Sequence, residues 1–306
     1  METLKETLKK SGLLDTVNKN LSKEFNEAMK NDDFKELVSK LNISKDVLEK
    51  YTSLLEKSSV EYSNCMKCKN ILECKNKLCG YAYLPTISKN SIVFNYRACK
   101  FQKKILKQDA ILKNITVYQT PKCLLEANIK EIYTTDTTRF KAIEWVYNFI
   151  KNYPEVTKGL YLHGSFGCGK SFIISALLVE LAKKNIRSTI IFWPEFLRDL
   201  KNHFGYDNDL ENIIYQVKNT PILFIDDIGA ENNTVWGRDE ILSTILDYRM
   251  NNNCITMFTS NLTIKDLESH FSRTKDGTDI LKARRIMERI KQMTEDIELI
   301  SKNLRN

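Results

Sequence analysis

The chain has 306 residues, of which 42% are hydrophobic and 28% charged. That balance suits a soluble globular protein with room for two domains and a sizeable core, and it excludes a fibrous or low-complexity chain. The formal net charge of +8 is uneven: residues 51–130 hold fourteen basic and five acidic side chains, whereas residues 131–306 hold 23 and 24. The local basic excess suits DNA phosphates or an acidic protein surface, or else a solvated lysine face that offsets thiolates. No apolar run approaches a membrane span, and the opening METLKETLKK is polar and amphipathic rather than a secretory signal. The chain is therefore expected in the cytoplasm, with no membrane partner and its cysteines reduced.

Residues 1–60 read as helices joined by short polar turns. TVNKNLSKEFNEAMKN and DDFKELVSKLN carry apolar residues at roughly helical spacing, and SKDVLEKYTSLLEK follows with Ser44 as N-cap. No glycine occurs between Gly12 and Gly80, so a small helical bundle is expected.

Residues 61–100 change character, holding Cys65, Cys68, Cys74, Cys79 and Cys99, five of the eight cysteines. CMKC is a C-x-x-C pair, which presents two thiolates to one tetrahedral ion, and a second pair further on closes a structural Zn²⁺ site. A redox role would call for a surrounding βαβ pattern, and none is visible. SIVFNYRAC reads as a strand that delivers Cys99. The expected ligands are Cys65, Cys68 and Cys99, with Cys79 preferred to Cys74 as the fourth. Residues 101–130 are polar and lysine-rich, and QTPKCLLEANI, with Pro121, leads into the next domain. Cys123 and Cys254 lie far from the cluster and read as packing residues. The expected division is a helical and zinc-binding domain over 1–105, a linker over 106–130 and a nucleotide-handling domain over 131–306.

GLYLHG (159–164) is a short apolar run that reads as a buried strand, and SFIISALLVELAKKN (171–185) is apolar at helical spacing. Between them GSFGCGKS fills every fixed position of G-x-x-x-x-G-K-[ST], with Gly164, Gly169, Lys170 and Ser171. Together with Ser165, Phe166, Gly167 and Cys168 these form a loop whose backbone N–H groups and following helix N-terminus face an anion. Lys170 would reach the β/γ-phosphates of ATP and Ser171 would ligate Mg²⁺.

The rest alternates strands and helices. STIIFW is a strand, PEFLRDLKNHF a helix with Pro194 in its first turn, and PILFIDDIG an apolar strand ending in Asp226 and Asp227. Asp226 would hold the metal, and Asp227 would orient or deprotonate the attacking water, with Glu231 a second candidate for that task. GRDEILSTILDYRMNN is a helix, and CITMFTSN a strand ending in Asn261, either a water-positioning side chain or a turn asparagine. IKDLESHF and DILKARRIMERIKQM are helices, and DIELIS is a last strand. This spells a parallel, three-layered α/β domain. Arg285 and Arg289 share a helix face, either solvated and paired or serving as an arginine finger on a neighbouring subunit.

GSFGCGKS, LFIDDIGAE, FTSN and RRIMERIK, in this order and spacing, resemble the AAA+ ATPases that load the replicative helicase in bacteria, over most of the chain. The resemblance implies an AAA+ domain that binds ATP and Mg²⁺ at Gly164–Ser171 and at the pair Asp226–Asp227. It makes Asn261 the sensor asparagine, Arg289 a finger acting in trans after self-assembly, and Arg305 the sensor arginine. It also implies an N-terminal domain that binds zinc and docks on the hexameric helicase, and an ATPase domain that binds single-stranded DNA. The family's zinc site can include a histidine soon after the C-x-x-C; here no histidine precedes His163, and Cys79 lies closest to that place. The alternative is a transposition ATPase of the IstB type, which acts on duplex DNA and lacks the zinc-bearing front.

Overall fold

The computed structural model describes residues 13–304 apart from 90, 203–206 and 276. The chain divides into two compact units, residues 1–108 and 109–306.

The N-terminal unit contains α1 (Leu13–Ala28), α2 (Asp32–Ser39), α3 (Lys45–Glu49) and α4 (Thr52–Lys67), followed by an antiparallel pair, β1 (Tyr81–Ser88) and β2 (Ser91–Ala98). Helix α2 starts where a short polar side chain can cap it: the Asn31 carboxamide accepts the Phe34 N–H at 3.2 Å, and Asp32 and Asp33 sit in the favourable first turn. Its apolar face, Phe34, Leu37 and Val38, buries against Phe25, Leu48, Leu55 and Ile92. SKDVLEKYTSLLEK is two helices rather than one, and the Ser44 hydroxyl makes no capping bond. The strand β1 was not legible beforehand, because YAYLPTIS contains a proline and no run of buried residues.

The chain passes from one unit to the other within α5 (Lys100–Leu112). The polar stretch 106–130 is not a free connection. Ile115–Tyr118 forms β3, which pairs in parallel with β5 (Ser188–Phe192) as the last strand of a six-stranded sheet. Only Ile115 of this edge strand is buried, so it carries almost no apolar signal.

That sheet has the order β10-β4-β7-β6-β5-β3, every neighbouring pair parallel. Its remaining strands are β4 (Gly159–Gly164), β6 (Ile222–Asp226), β7 (Ile255–Ser260) and β10 (Thr294–Leu299); a two-residue ladder, β8 (Arg273–Thr274) with β9 (Gly277–Thr278), stands apart. The central strands are buried on both faces, which is why they read as continuous apolar runs. One face is covered by α6 (Phe140–Asn152) and α7 (Lys170–Ala182), whose Val146, Phe149, Ile173, Leu177 and Leu181 pack on Leu160 and Leu162. The other is covered by α8 (Trp193–Asn202), α9 (Asp207–Asn219), α10 (Ser243–Asn251), α11 (Ile264–Ser272) and α12 (Ile280–Met293), with Phe196, Leu246, Phe271 and Ile286 among the residues packed with Tyr161 and Phe258. Three layers result. The segment GRDEILSTIL begins as a π-helical turn over Trp236–Leu242 before α10. Helix α9, not anticipated, completes this layer. Among the described residues no helix is long and apolar enough to cross a membrane.

Candidate nucleotide-binding site

In this sheet β7 lies between β4 and β6. The C-terminal ends of three neighbouring parallel strands therefore bring the phosphate loop, Asn261 and the Asp226–Asp227 pair side by side, although the sequence separates them by up to about a hundred residues. The loop's turn is made by glycines. Gly164, Gly167 and Gly169 have φ of +144°, +71° and +88°. A Cβ on Gly164 would stand 2.1 Å from the Leu299 carbonyl oxygen of β10, so only glycine fits there. Gly169 is the N-cap of α7, and Lys170 and Ser171 open that helix with their N–H groups at its positive end.

Lys170 is 8% exposed. Its ammonium donates to the carbonyls of Gly164 at 3.0 Å and Ser165 at 2.8 Å, and to Asn261 Oδ1 at 2.8 Å. Asn261 in turn donates from Nδ2 to Asp227 Oδ1 at 3.0 Å, so one carboxamide bridges the lysine and the second aspartate. Ser171 Oγ donates to Asp226 Oδ1 at 2.6 Å, which places a hydroxyl and a carboxylate side by side for a divalent cation. Asp227 has a left-handed backbone, φ 59°, uncommon for a residue with a side chain, and its N–H donates to Thr259 Oγ1 at 3.0 Å. The Thr259 hydroxyl donates to Asp226. Thr259 thus holds both aspartates; it lies in FTSN, where nothing in the spacing singles it out.

The other sequence-derived candidates fall elsewhere. Glu231 accepts the Gly229 N–H at 2.7 Å and lies 2.9 Å from His270 Nε2. Arg289 is on α12, where Nε meets Asp247 Oδ1 at 2.6 Å and Nη1 donates to Ser243 Oγ at 2.7 Å, both on α10. Arg284 lies 3.4 Å from Glu268, and Arg285 is exposed. Arg305 lies outside the described residues. Phe166, in the loop, is 74% exposed. Besides Lys170, the buried residue of the loop is Cys168.

The chain just after β10 also reaches the loop. Ser165 Oγ donates to the Ser301 carbonyl at 3.1 Å, and the Leu304 N–H donates to the Gly167 carbonyl at 2.9 Å. These contacts join residues 136 or more positions apart, beyond the reach of any local pattern.

In the N-terminal unit Cys65 sits in the last turn of α4, Cys68 just beyond its end, and Cys99 directly after β2. Cys65, Cys68, Cys74 and Cys99 line one cavity of about 270 Å³; Cys79 does not line it and is exposed. Cys74 Sγ accepts the Gly80 N–H at 3.3 Å, and this bond holds its thiol below the usual cysteine range. Cys65 is pushed up by desolvation, and so is Cys79, whose neighbour Cys74 adds to the effect. Among the described residues no three His, Cys, Asp or Glu side chains are arranged to hold a metal ion. The zinc site expected from the cysteine spacing is therefore not formed as a coordination sphere; four thiols share a cavity wall instead.

A parallel sheet whose adjacent strand ends carry a phosphate loop, a bridging asparagine and an acidic pair belongs to the AAA+ ATP-binding class. The family model described as RNA helicase matches residues 160–273, from β4 to the start of β8. Over most of its length the chain is similar to the replicative helicase loader DnaI of Bacillus subtilis (strain 168), 36% identical over 270 residues that make up 86% of either chain. A crystal structure of DnaI superposes with a TM-score of 0.55 at 36% identity, covering 65% of this chain and 99% of that one. The DnaC helicase loader superposes with a TM-score of 0.50 at 27% identity, over 58% and 99%. At this identity and coverage the chain belongs to the family of DnaI-type replicative helicase loaders.

Proposed function

We propose that this protein loads the replicative DNA helicase onto single-stranded DNA in the cytoplasm, with ATP binding as the conformational signal and ATP hydrolysis as the release step. The observation that carries this reading is the 36% identity to a helicase loader over 270 residues. A match that long exceeds the C-terminal unit, so it takes in both units; that argues against the transposition-type alternative, which shares only the ATPase part.

In the catalytic cycle so read, Lys170 exchanges the carbonyls of Gly164 and Ser165 for the β- and γ-phosphates of ATP. Ser171 and Asp226 would hold Mg²⁺, which supplies charge neutralisation on the phosphate oxygens when bound. Asp227, oriented by Asn261, positions the attacking water. Arg289 cannot serve its own chain's nucleotide. It lies four residues before the end of α12, which runs directly into β10 at the N-terminal edge of the sheet, opposite the phosphate loop. Its reading as a finger therefore requires a neighbouring copy and release from Asp247.

The N-terminal unit is read as the helicase-docking part. That reading rests on the relative, whose match extends into this unit. One Zn²⁺ per chain would be held by Cys65, Cys68, Cys99 and, in place of Cys79, Cys74, once the four thiols drew together around it; the shared cavity and the amide donated to Cys74 support that choice. Capture of the organism's own replicative helicase, with and without ATP, tests the function. A nucleotide-sensitive complex is expected; capture of a transposase on duplex DNA, with no helicase, overturns it.

A further inference from the structure

One buried cation beside the phosphate loop belongs to no motif. Arg139, in YTTDTTRF, is 1% exposed. Its Nε donates to the Tyr133 carbonyl at 2.8 Å, and its Nη1 donates to the carbonyl of Cys168, inside the phosphate loop. Its Nη2 lies 3.3 Å from where a Cβ on Gly169 would be, so the guanidinium packs directly against the turn that opens α7. The nearest acid in its segment, Asp136, accepts from Thr138 N at 3.0 Å, Thr138 Oγ1 at 2.7 Å and Ser301 Oγ at 2.7 Å, and acts on the guanidinium through its charge rather than through an ion pair.

Comparison with the other fully buried arginine is informative. Arg249 donates to the carbonyls of Val217, Lys218, Thr220 and Ile255 and to Thr256, and so ties together the chain around two strand starts. Arg139 ties nothing in the sheet. It joins only its own segment to the loop. A buried charge is costly unless anions or dipoles compensate it, and here two carbonyl dipoles, the Tyr133 ring and the nearby Asp136 carboxylate do so partly, against a burial that holds the guanidinium below the usual arginine range. A bound polyphosphate would complete the compensation.

We propose that Arg139 is a positioning residue of the nucleotide site. By drawing the Cys168 carbonyl outward it keeps Gly169 in its left-handed conformation, and so turns the N–H groups of Gly169 and Lys170 toward the phosphates. Its fixed charge also adds a second positive centre to the loop, behind the Gly169 turn. The inference rests on the ATP-binding reading of the loop.

The test uses the full chain with Arg139→Lys and Arg139→Met, and Lys170→Ala as a control. Fluorescent ATP and ADP analogues give affinities, steady-state kinetics give KM and kcat, and melting of the nucleotide-free protein reports the fold. A lysine keeps the charge but cannot fork between two carbonyls. For Arg139→Lys we expect ATP and ADP to weaken together by about tenfold, the size of one lost charge-assisted hydrogen bond, with KM raised and kcat within about twofold of wild type. Arg139→Met should weaken both further. If it does not fold, Arg139→Lys decides alone. Wild-type ATP and ADP affinities in Arg139→Lys overturn the proposal. So does a loss of affinity that vanishes at a temperature where the variant is fully folded, since that marks a purely structural role. Wild-type protein that binds no nucleotide overturns the ATP-binding reading itself, and this inference with it.

Discussion

In the C-terminal unit every residue of β6 is buried and helices cover both faces of a six-stranded sheet. In the N-terminal unit the buried apolar cluster, among the described residues, is eight side chains between four helices and one hairpin. Small units bury too little apolar surface to offset their chain entropy, and commonly rely on a metal, a disulfide or a partner. The five cysteines of residues 61–100 sit in the unit that needs such help. The cysteines of the other unit are scattered: Cys168 is buried within the phosphate loop, Cys123 exposed and Cys254 half-buried.

Metal removal should break the comparison most sharply. Structural zinc in small domains is worth on the order of 10 kcal/mol of folding free energy, so chelation should unfold the N-terminal unit and leave ATP affinity of the C-terminal unit unchanged. Circular dichroism melts with parallel nucleotide titration check this. Metal analysis of Cys74→Ser and Cys79→Ser separates the two candidates, with loss expected only for Cys74→Ser. A metal-free wild type that melts in one sharp step would mean that the small core suffices.

Arg289→Ala should lower turnover by about a thousandfold while nucleotide affinity stays near normal, because a finger acts on the transition state. Mixing it with Lys170→Ala should restore part of the activity, one subunit lending an intact Arg289 to the other's intact loop. A mixture as inactive as its parts, where wild type assembles, removes Arg289 from that role.

Lys170→Ala should abolish the rise in melting temperature that ATP gives the C-terminal unit. That stabilisation is about 2.7 kcal/mol when ATP stands roughly a hundredfold above its Kd. The N-terminal unit should not register the change. A variant still stabilised by ATP as wild type is would exclude Lys170 from phosphate binding.

The smallest effect belongs to the cap of α2. Asn31→Ala removes the bond to the Phe34 N–H and should cost about 1 kcal/mol, visible only in the melting of the N-terminal unit. A shift in the other unit's transition would show that the two are not thermodynamically separate.

Much of the C-terminal unit was legible from residue order, for a physical reason. Parallel strands buried on both faces must be apolar throughout, so GLYLHG, ILFID and CITMFTS announce themselves, and glycines mark the turn where the backbone has to approach phosphate. Strand β3 and helix α9 stayed hidden because β3 buries a single residue at the sheet edge and α9, DNDLENIIYQVKN, combines weak helix formers with β-prone Ile, Tyr and Val. That Cys74 and not Cys79 lines a cavity with the other three thiols was equally closed to inspection, since spacing tells which thiols are near in sequence and not which face a common wall. The sequence by itself determined the phosphate loop, its lysine and serine, and the acidic strand end, because each of these depends on neighbours within a few residues. The tertiary structure alone decided that Asn261 bridges Lys170 to Asp227, that Thr259 holds both aspartates, and that Arg139 and the chain after β10 close on the loop. Those contacts join positions that meet only when the order of strands in the sheet is set, and strand order is a property of the packed whole.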